Sequence, residues 1–141
     1  MPKLEKGWLN PFSSRKKFIS TSLSYGLSKL IDSKKFVAVS ESYVDVHDLN
    51  SEQPDVVIYD VKNDFSPCMI IECSEHSDLQ LTLNSMEIIS NIYHVPEAFV
   101  YDLDQHSWYK VGSSSQKTDS RNNLLGCDLE LALNQSLLRY Y

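Results

Sequence analysis

The sequence has no CxxC pair and no apolar run long enough to cross a membrane. The first absence argues against a structural zinc site, so Cys68, Cys73 and Cys127 are interpreted as buried thiols in a reduced, cytoplasmic setting. The N-terminus also lacks a charged segment followed by a long apolar run. Together these absences predict an intracellular protein that does not insert into a membrane.

Positive charge is also scarce, since 13 Lys and Arg against 19 Asp and Glu give a formal net charge of -6. This balance argues against indiscriminate binding of nucleic acid or acidic membranes, although it leaves room for a local basic patch. At 141 residues the chain is long enough for one ordinary domain and too short for two. We expect a single domain over residues 1–141, with an extended N-terminal arm at 1–14 and a mobile, Ser-rich loop at 112–123.

Hydrophobic periodicity divides the chain into helices and strands. Apolar residues recur at helical spacing between Ile19 and Ile31, which predicts an amphipathic helix. The stretch from Cys68 to Glu72 is apolar until its last residue, as expected of a central strand that is covered on both faces. The elements predicted after the first helix are strands at 36–46, 55–59 and 68–72, a helix at 79–93, strands at 98–103 and 107–111, and a strand or helix within 124–138.

The second predicted helix, at 79–93, contains no Lys or Arg. One apolar stripe runs through Leu83 and Met86, and a further set, Leu81, Ile88 and Ile92, widens it. We therefore expect this helix to be well buried.

Two carboxylates mark the centre of the chain. Asp55 opens one predicted strand and Glu72 ends the next, so the two acids meet if these strands pair antiparallel around a turn at 60–67. Mg²⁺ prefers such hard oxygen ligands and usually takes only one or two protein carboxylates. In the alternative interpretation Asp55 caps a strand and Glu72 faces solvent. Glu72 directly follows Met69-Ile70-Ile71, however, and a carboxylate buried there needs a cation or hydrogen bonds.

The residues around these acids resemble a known nuclease motif. Pro54-Asp55 followed by the sequence IIECS at 70–74 resembles the two-part motif of the PD-(D/E)xK nuclease superfamily. The VPE sequence at 95–97, the following FVYD strand and the leucine-rich tail after Leu125-Gly126 resemble the small bacterial Uma-type proteins, which are restriction-endonuclease-like. The resemblance covers residues 15–138 in element order.

The resemblance implies an α/β fold, a restriction-endonuclease-like mixed β-sheet flanked by α-helices. It implies a divalent-metal site for Mg²⁺ or Mn²⁺ at Asp55 and Glu72, and DNA as the ancestral substrate. Relatives often add an acid upstream of the PD pair, for which Glu41 is the candidate metal ligand here. Many relatives are dimers, so a homodimer is also implied.

The chain departs from the superfamily at its catalytic lysine. Ser74 stands two residues after the acid, where that lysine would be, and is therefore the third candidate catalytic position beside Asp55 and Glu72. In Uma-type relatives a lysine can come instead from the following helix, and counting back from VPE puts Met86 at that position. Lys62 and Lys110 are the nearest lysines in sequence. Without a cationic group, a large contribution to transition-state stabilisation is missing.

Several other residues have both a functional and a structural interpretation. His76 lies between Glu72 and the second helix, where it either reaches a bound metal or only faces solvent. Cys73 has no partner at a spacing typical of a thiol nucleophile, so a buried structural role is favoured. The basic residues at 15–17 and 34–35 flank the first helix and form either a DNA-facing patch or ordinary solvated helix ends.

Three hypotheses follow from the sequence. The protein is a PD-(D/E)xK-like fold with a degraded site, which acts as a non-catalytic binding or assembly module. Alternatively it is a working metal-dependent DNA endonuclease in which Lys62, His76 or a partner's lysine replaces the missing group. The third possibility is an unrelated α/β binding domain. A cation within about 4 Å of both acids favours the second hypothesis over the first.

Overall fold

The computed structural model describes residues 11–137, and for 11–14 and 136–137 it describes the backbone alone. Helix α1 spans Pro11–Leu30 and is followed by β1 (Phe36–Ser40) and β2 (Val56–Asp60). A short 3₁₀ turn (Val61–Asn63) leads into β3 (Ser66–Ser74), and a second (His76–Asp78) leads into α2 (Leu79–Ile92). The remaining elements are β4 (Glu97–Asp102), β5 (Ser107–Lys110), β6 (Gln116–Thr118) and α3 (Leu129–Leu137).

The six strands form one mixed sheet in the order β1-β2-β3-β4-β5-β6. Neighbouring strands are antiparallel except for β3 and β4, which are parallel because α2 crosses over between them. The predicted α/β fold, a mixed sheet flanked by helices, is confirmed. None of the helices within residues 11–137 combines the length and the apolar character needed to cross a bilayer.

The helices cover the sheet from both sides. Helices α1 and α3 pack on one face, where Leu23 and Leu129 join a core cluster with Ile71 of β3. Helix α2 packs on the other face, where Met86 joins a cluster with Ile70. The apolar run that ends at Glu72 is therefore buried on both faces, as predicted for a central strand.

Strand β1 is shorter than predicted and ends at Ser40 instead of residue 46. Glu41 adopts a left-handed conformation with φ 53°, which turns the chain out of the sheet. Beyond it, the side chains of Asp45 and Asp48 accept hydrogen bonds from backbone N–H groups two residues later. These local turns satisfy backbone donors that the predicted strand would have paired with a neighbour.

The structure differs from both of the predicted irregular segments. Helix α1 begins at Pro11, so the last four residues of the predicted arm are helical, and Pro is favoured at such a position because it has no N–H to leave unpaired. The rest of the arm, residues 1–10, lies outside the described residues. The predicted mobile loop at 112–123 contains β6, which pairs with β5.

The burial predicted for α2 is wrong for part of its apolar surface. Leu83 and Met86 are buried against the sheet, but Leu81, Ile88 and Ile92 are each at least 60% exposed. They lie on the side of the helix away from the sheet, where no described element covers them. The helix therefore presents an apolar outer stripe.

Candidate active site

Asp55 and Glu72 meet as the sequence predicts. Strands β2 and β3 pair antiparallel with Val56 opposite Ile71, so the next residues outward are the two acids. The backbone N–H of Asp55 donates to Oε1 of Glu72 at 2.9 Å. The N–H of Cys73 donates to Oδ2 of Asp55 at 2.7 Å. The strand backbones thus hold both carboxylates in fixed positions.

A cation from a distant part of the chain completes this pair. The Nζ of Lys16, near the start of α1, lies 3.2 Å from Oε2 of Glu72 and 3.5 Å from Oδ2 of Asp55. Helix α1 packs on the sheet through Leu23 and Leu27, and Lys16 near its start reaches both acids. The two acids and the lysine form one charge cluster, which is called the acid–lysine triad below.

The surroundings shift the pKa values of two members of the triad, Asp55 and Lys16. Burial, followed by the negative charge of Glu72, raises the pKa of Asp55 to about 7, although the Cys73 N–H and Lys16 oppose the shift. Burial lowers the pKa of the Lys16 ammonium, but the charges of Glu72 and Asp55 raise it by more, so its net pKa lies above the usual value. A carboxylate with a perturbed pKa next to a half-buried cation is typical of functional sites.

Glu41, the predicted third metal ligand, contacts Asp55 through its backbone, whose N–H donates to the Asp55 carbonyl at 2.9 Å. Its side chain is exposed. Within residues 11–137 no three His, Cys, Asp or Glu side chains gather closely enough to hold a metal ion. Any divalent ion at this site would therefore rest on two protein carboxylates, with water or substrate at its remaining positions, as is usual for Mg²⁺.

Ser74 does not bring a charge to the position of the motif lysine. Its side chain is buried, and its hydroxyl donates to the Glu75 carbonyl at 2.8 Å and accepts from Thr82 at 3.0 Å. Of the two lysines nearest in sequence, Lys110 pairs with Glu97 at 2.7 Å. Lys62 lies beyond the opposite end of β2. Ser74, Lys110 and Lys62 therefore do not place a positive charge beside the two acids, as Lys16 does.

The neighbouring thiol is not an activated nucleophile. Burial, reinforced by the charges of Asp55 and Glu72, raises the pKa of Cys73 well above its usual value. The reactive form of cysteine is the thiolate, so this environment makes Cys73 inert. Its contribution to the site is the backbone N–H that holds Asp55.

A second polar network lies beside the triad and involves His76. The Nδ1 of His76 lies 2.6 Å from Oδ2 of the fully buried Asp102. The His76 N–H donates to Asp104, and Arg15 forms an ion pair with the same carboxylate at 3.1 Å. Since Arg15 precedes Lys16 on α1, this network connects the turn of the helix that carries the lysine to the segment after β4.

Lys16 was not predicted as a site residue beyond its place in a basic patch, although its spacing on α1 carries a signal. Lys16 stands at helical spacing before Ser20, Leu23 and Leu27, all of which are fully buried. The lysine therefore continues the buried stripe of α1 instead of its solvent face. A lysine on that stripe needs a buried acid as partner.

No family model and no curated protein matches the chain. Among solved structures, the chain is similar to a putative nuclease belonging to DUF820 from Anabaena variabilis ATCC 29413, with a TM-score of 0.58. The two sequences are 11% identical, and the match covers 85% of this chain and 80% of the other. The fold is nuclease-like. At 11% identity this likeness supports the architecture of the chain alone.

Proposed function

We propose that the protein is a divalent-metal-dependent nuclease of the PD-(D/E)xK type, in which Lys16 replaces the missing motif lysine. The observation that supports it most is the ammonium of Lys16 within 3.5 Å of both carboxylates. A working site of this type needs a cation beside the two acids. In the motif a lysine at the end of β3 supplies it, and here α1 supplies it through Lys16.

The donor set fits Mg²⁺ or Mn²⁺. Asp55 and Glu72 are hard oxygen ligands at the ends of rigid strands, and two such carboxylates suit an ion that keeps water and phosphate at its other positions. The raised pKa of Asp55 reflects burial beside a like charge, which a divalent cation would relieve. When bound, the ion supplies charge for the phosphate oxygens and a more acidic water.

The roles of the protein groups follow from their charges. Lys16 donates hydrogen bonds and offers a positive charge next to the acids, where charge builds up on a phosphodiester as its bond is cleaved. Asp55 and Glu72 would hold the ion, and the Cys73 N–H keeps the Asp55 carboxylate in place beside Glu72. Glu41 remains a proposed additional ligand, which would act through water or after a side-chain rotation.

The test measures Mn²⁺ binding by calorimetry and nicking of supercoiled plasmid DNA in the same samples. Asp55→Ala and Glu72→Ala are each expected to abolish both, because either change leaves a single protein ligand. Glu41→Ala weakens binding if that side chain takes part. Glu87→Ala, which removes an acid from α2, serves as the matched control and should change neither readout.

Two outcomes would contradict the proposal. Metal binding without nicking would support the non-catalytic binding module on the same fold. Nicking that persists in both the Asp55 and Glu72 variants would assign the cleavage to a contaminant or to another site.

A further inference from the structure

A cleft of about 440 Å³ opens beside the triad, between α2 and the segment that precedes β2. Its volume lies within the range of roughly 300–1,000 Å³ that is typical of small-molecule sites. Glu72 forms part of its wall, so anything that enters the cleft lies next to the proposed metal pair. The two sites are therefore adjoining parts of one surface.

The cleft and the α1 side of Glu72 differ in charge. On the α1 side, the Lys16 ammonium lies 3.2 Å from Glu72, whereas the neighbouring Arg15 pairs with Asp104. In the cleft, none of the described lining residues is basic, and Glu52 and Asp78 add carboxylates. The α1 side therefore offers a cation to a phosphate group, and the described lining of the cleft offers none.

The walls of the cleft suit a flat, partly apolar group. Pro54, Met86 and Ile89 form apolar surface, and the exposed Leu81 stands at the mouth. Polar side chains of Glu52, Gln53, Asp78 and Ser85 also line it. Six of the ten lining residues are polar, so the cleft offers apolar surface to the face of a ring and polar groups to its edge.

We propose that the cleft receives an unpaired nucleobase bearing an exocyclic amino group, attached to the nucleotide whose phosphodiester lies at the triad. This inference rests on the proposed function and names its substrate class, single-stranded or locally unpaired nucleic acid. A nucleotide matches this surface because its anionic phosphate can lie beside Lys16 while its uncharged ring enters the cleft.

The chemistry of the cleft favours a base that carries an amino group and a base that is unpaired. Carboxylates accept hydrogen bonds and do not donate them, so Glu52 and Asp78 match the amino group of cytosine better than the carbonyl of thymine. A base in a duplex is stacked and paired, and it enters a concave site only after leaving the helix. An intact duplex would also bring its phosphates against these carboxylates.

The first test measures binding of fluorescein-labelled oligonucleotides by anisotropy in Ca²⁺. The wild-type protein is expected to bind a short oligodeoxycytidylate about tenfold more tightly than oligothymidylate or a duplex of equal length. Ser85→Phe places a ring in the cleft and should remove this preference. Ile88→Phe adds the same ring to an exposed position of α2 outside the cleft and should keep it. Equal binding of both oligonucleotides, tighter binding of the duplex, or a preference that Ser85→Phe retains would overturn the inference.

The second test needs no variant and therefore does not depend on how Ser85→Phe folds. Cytidine 5′-monophosphate is titrated into methyl-labelled wild-type protein and followed by NMR. The methyl groups of Leu81, Met86 and Ile89 are expected to shift, while those of Leu129 and Leu133, buried on the opposite face of the sheet, should not. Shifts confined to the opposite face, or no shifts at all, would refute the assignment of the cleft.

Hydrolysis of bis(4-nitrophenyl) phosphate separates this inference from the proposed function, because that phosphodiester carries no base. Metal-dependent hydrolysis together with no preference for cytidylate would refute the cleft assignment and leave the nuclease proposal in place. Cytidylate shifts in the cleft together with no binding of Mn²⁺ would refute the nuclease proposal and keep the cleft as a nucleotide site.

Discussion

The ammonium of Lys16 lies 3.2 Å from the carboxylate of Glu72, although 56 residues separate them in the chain. In the strand motif a lysine two residues after the acid would supply this charge, and here Ser74 occupies that position. The contact makes Lys16 the residue whose replacement is most informative.

Lys16→Ala is expected to lower the single-turnover rate of DNA cleavage by about 10²–10³-fold, because it removes an electrostatic group at the reacting phosphate. Mn²⁺ affinity should not fall, since in the proposed site the lysine would share carboxylate oxygens with the metal. Lys29→Ala, on the last turn of the same helix, is the matched control and should leave cleavage unchanged. A Lys16→Ala protein as active as the wild type would show that the cation has no catalytic role.

Asp55→Asn should stabilise the metal-free protein at neutral and higher pH. The raised pKa of Asp55 means that the folded state holds its proton more tightly than the unfolded state. The associated stability is therefore present below about pH 4 and is lost as the pH rises through about 7. The amide has no charge to repel Glu72, so we expect a gain of roughly 1–2 kcal/mol at pH 8 that shrinks as the pH falls and vanishes at about pH 4.

Urea unfolding in EDTA checks this prediction at both pH values. A variant less stable than the wild type at pH 8 would show that the contact of Asp55 with Lys16 outweighs its repulsion by Glu72.

Asp102→Asn should destabilise the protein, and the loss should depend on pH in the opposite sense. Burial raises the pKa of Asp102, but hydrogen bonds from His76 and from the backbone N–H groups of Gln105 and Asp104 lower it by more. Its stabilising effect is thus present above the ordinary pKa of about 4 and disappears as the pH falls through the lowered value.

We expect Asp102→Asn to lose about 1–3 kcal/mol at pH 7, measured by urea unfolding, and the difference from wild type to shrink towards pH 3. Asp119→Asn, at an exposed carboxylate, is the control and should differ little from wild type at either pH. A loss that is constant across this range would mean that Asp102 acts through packing and not through its charge.

Gly26→Ala should unfold the protein or destabilise it by about 3 kcal/mol or more. A Cβ at Gly26 would lie 1.6 Å from the carbonyl oxygen of Ala132, so α1 and α3 could not keep their close approach. Gly112→Ala is the matched control, because a Cβ there meets no atom within 4 Å. Thermal unfolding monitored by circular dichroism distinguishes the two, and equal melting temperatures would contradict the expected clash.

The sequence was sufficient for the parts of the fold that follow from local patterns. The apolar run before Glu72 identified the central strand, and the equal spacing of Asp55 and Glu72 about their turn identified the pair. The same propensities failed after Ser40, where Asp45 and Asp48 bond the backbone locally and override the preference for strand.

Lys16 could not be located in the site from local patterns because its position depends on packing. The helix that carries it is placed by its contacts with α3 and the sheet, including the approach of Gly26 to Ala132. Those contacts join residues far apart in sequence. The buried stripe of Ser20, Leu23 and Leu27 marked Lys16 as facing inward, but not which acids it would meet.

If a divalent ion binds as proposed, it shares carboxylate oxygens with Lys16, and this sharing has a thermodynamic consequence. The two cations are competing ligands of one anion pair, so their binding free energies are coupled with negative sign and the coupling is reciprocal. If the ion loosens the first turns of α1 by a given factor, docking of those turns weakens ion affinity by the same factor. Hydrogen exchange in that part of α1 should then accelerate when Mg²⁺ is added alone, and a phosphate-bearing ligand, which gives Lys16 a new partner, should reverse the effect.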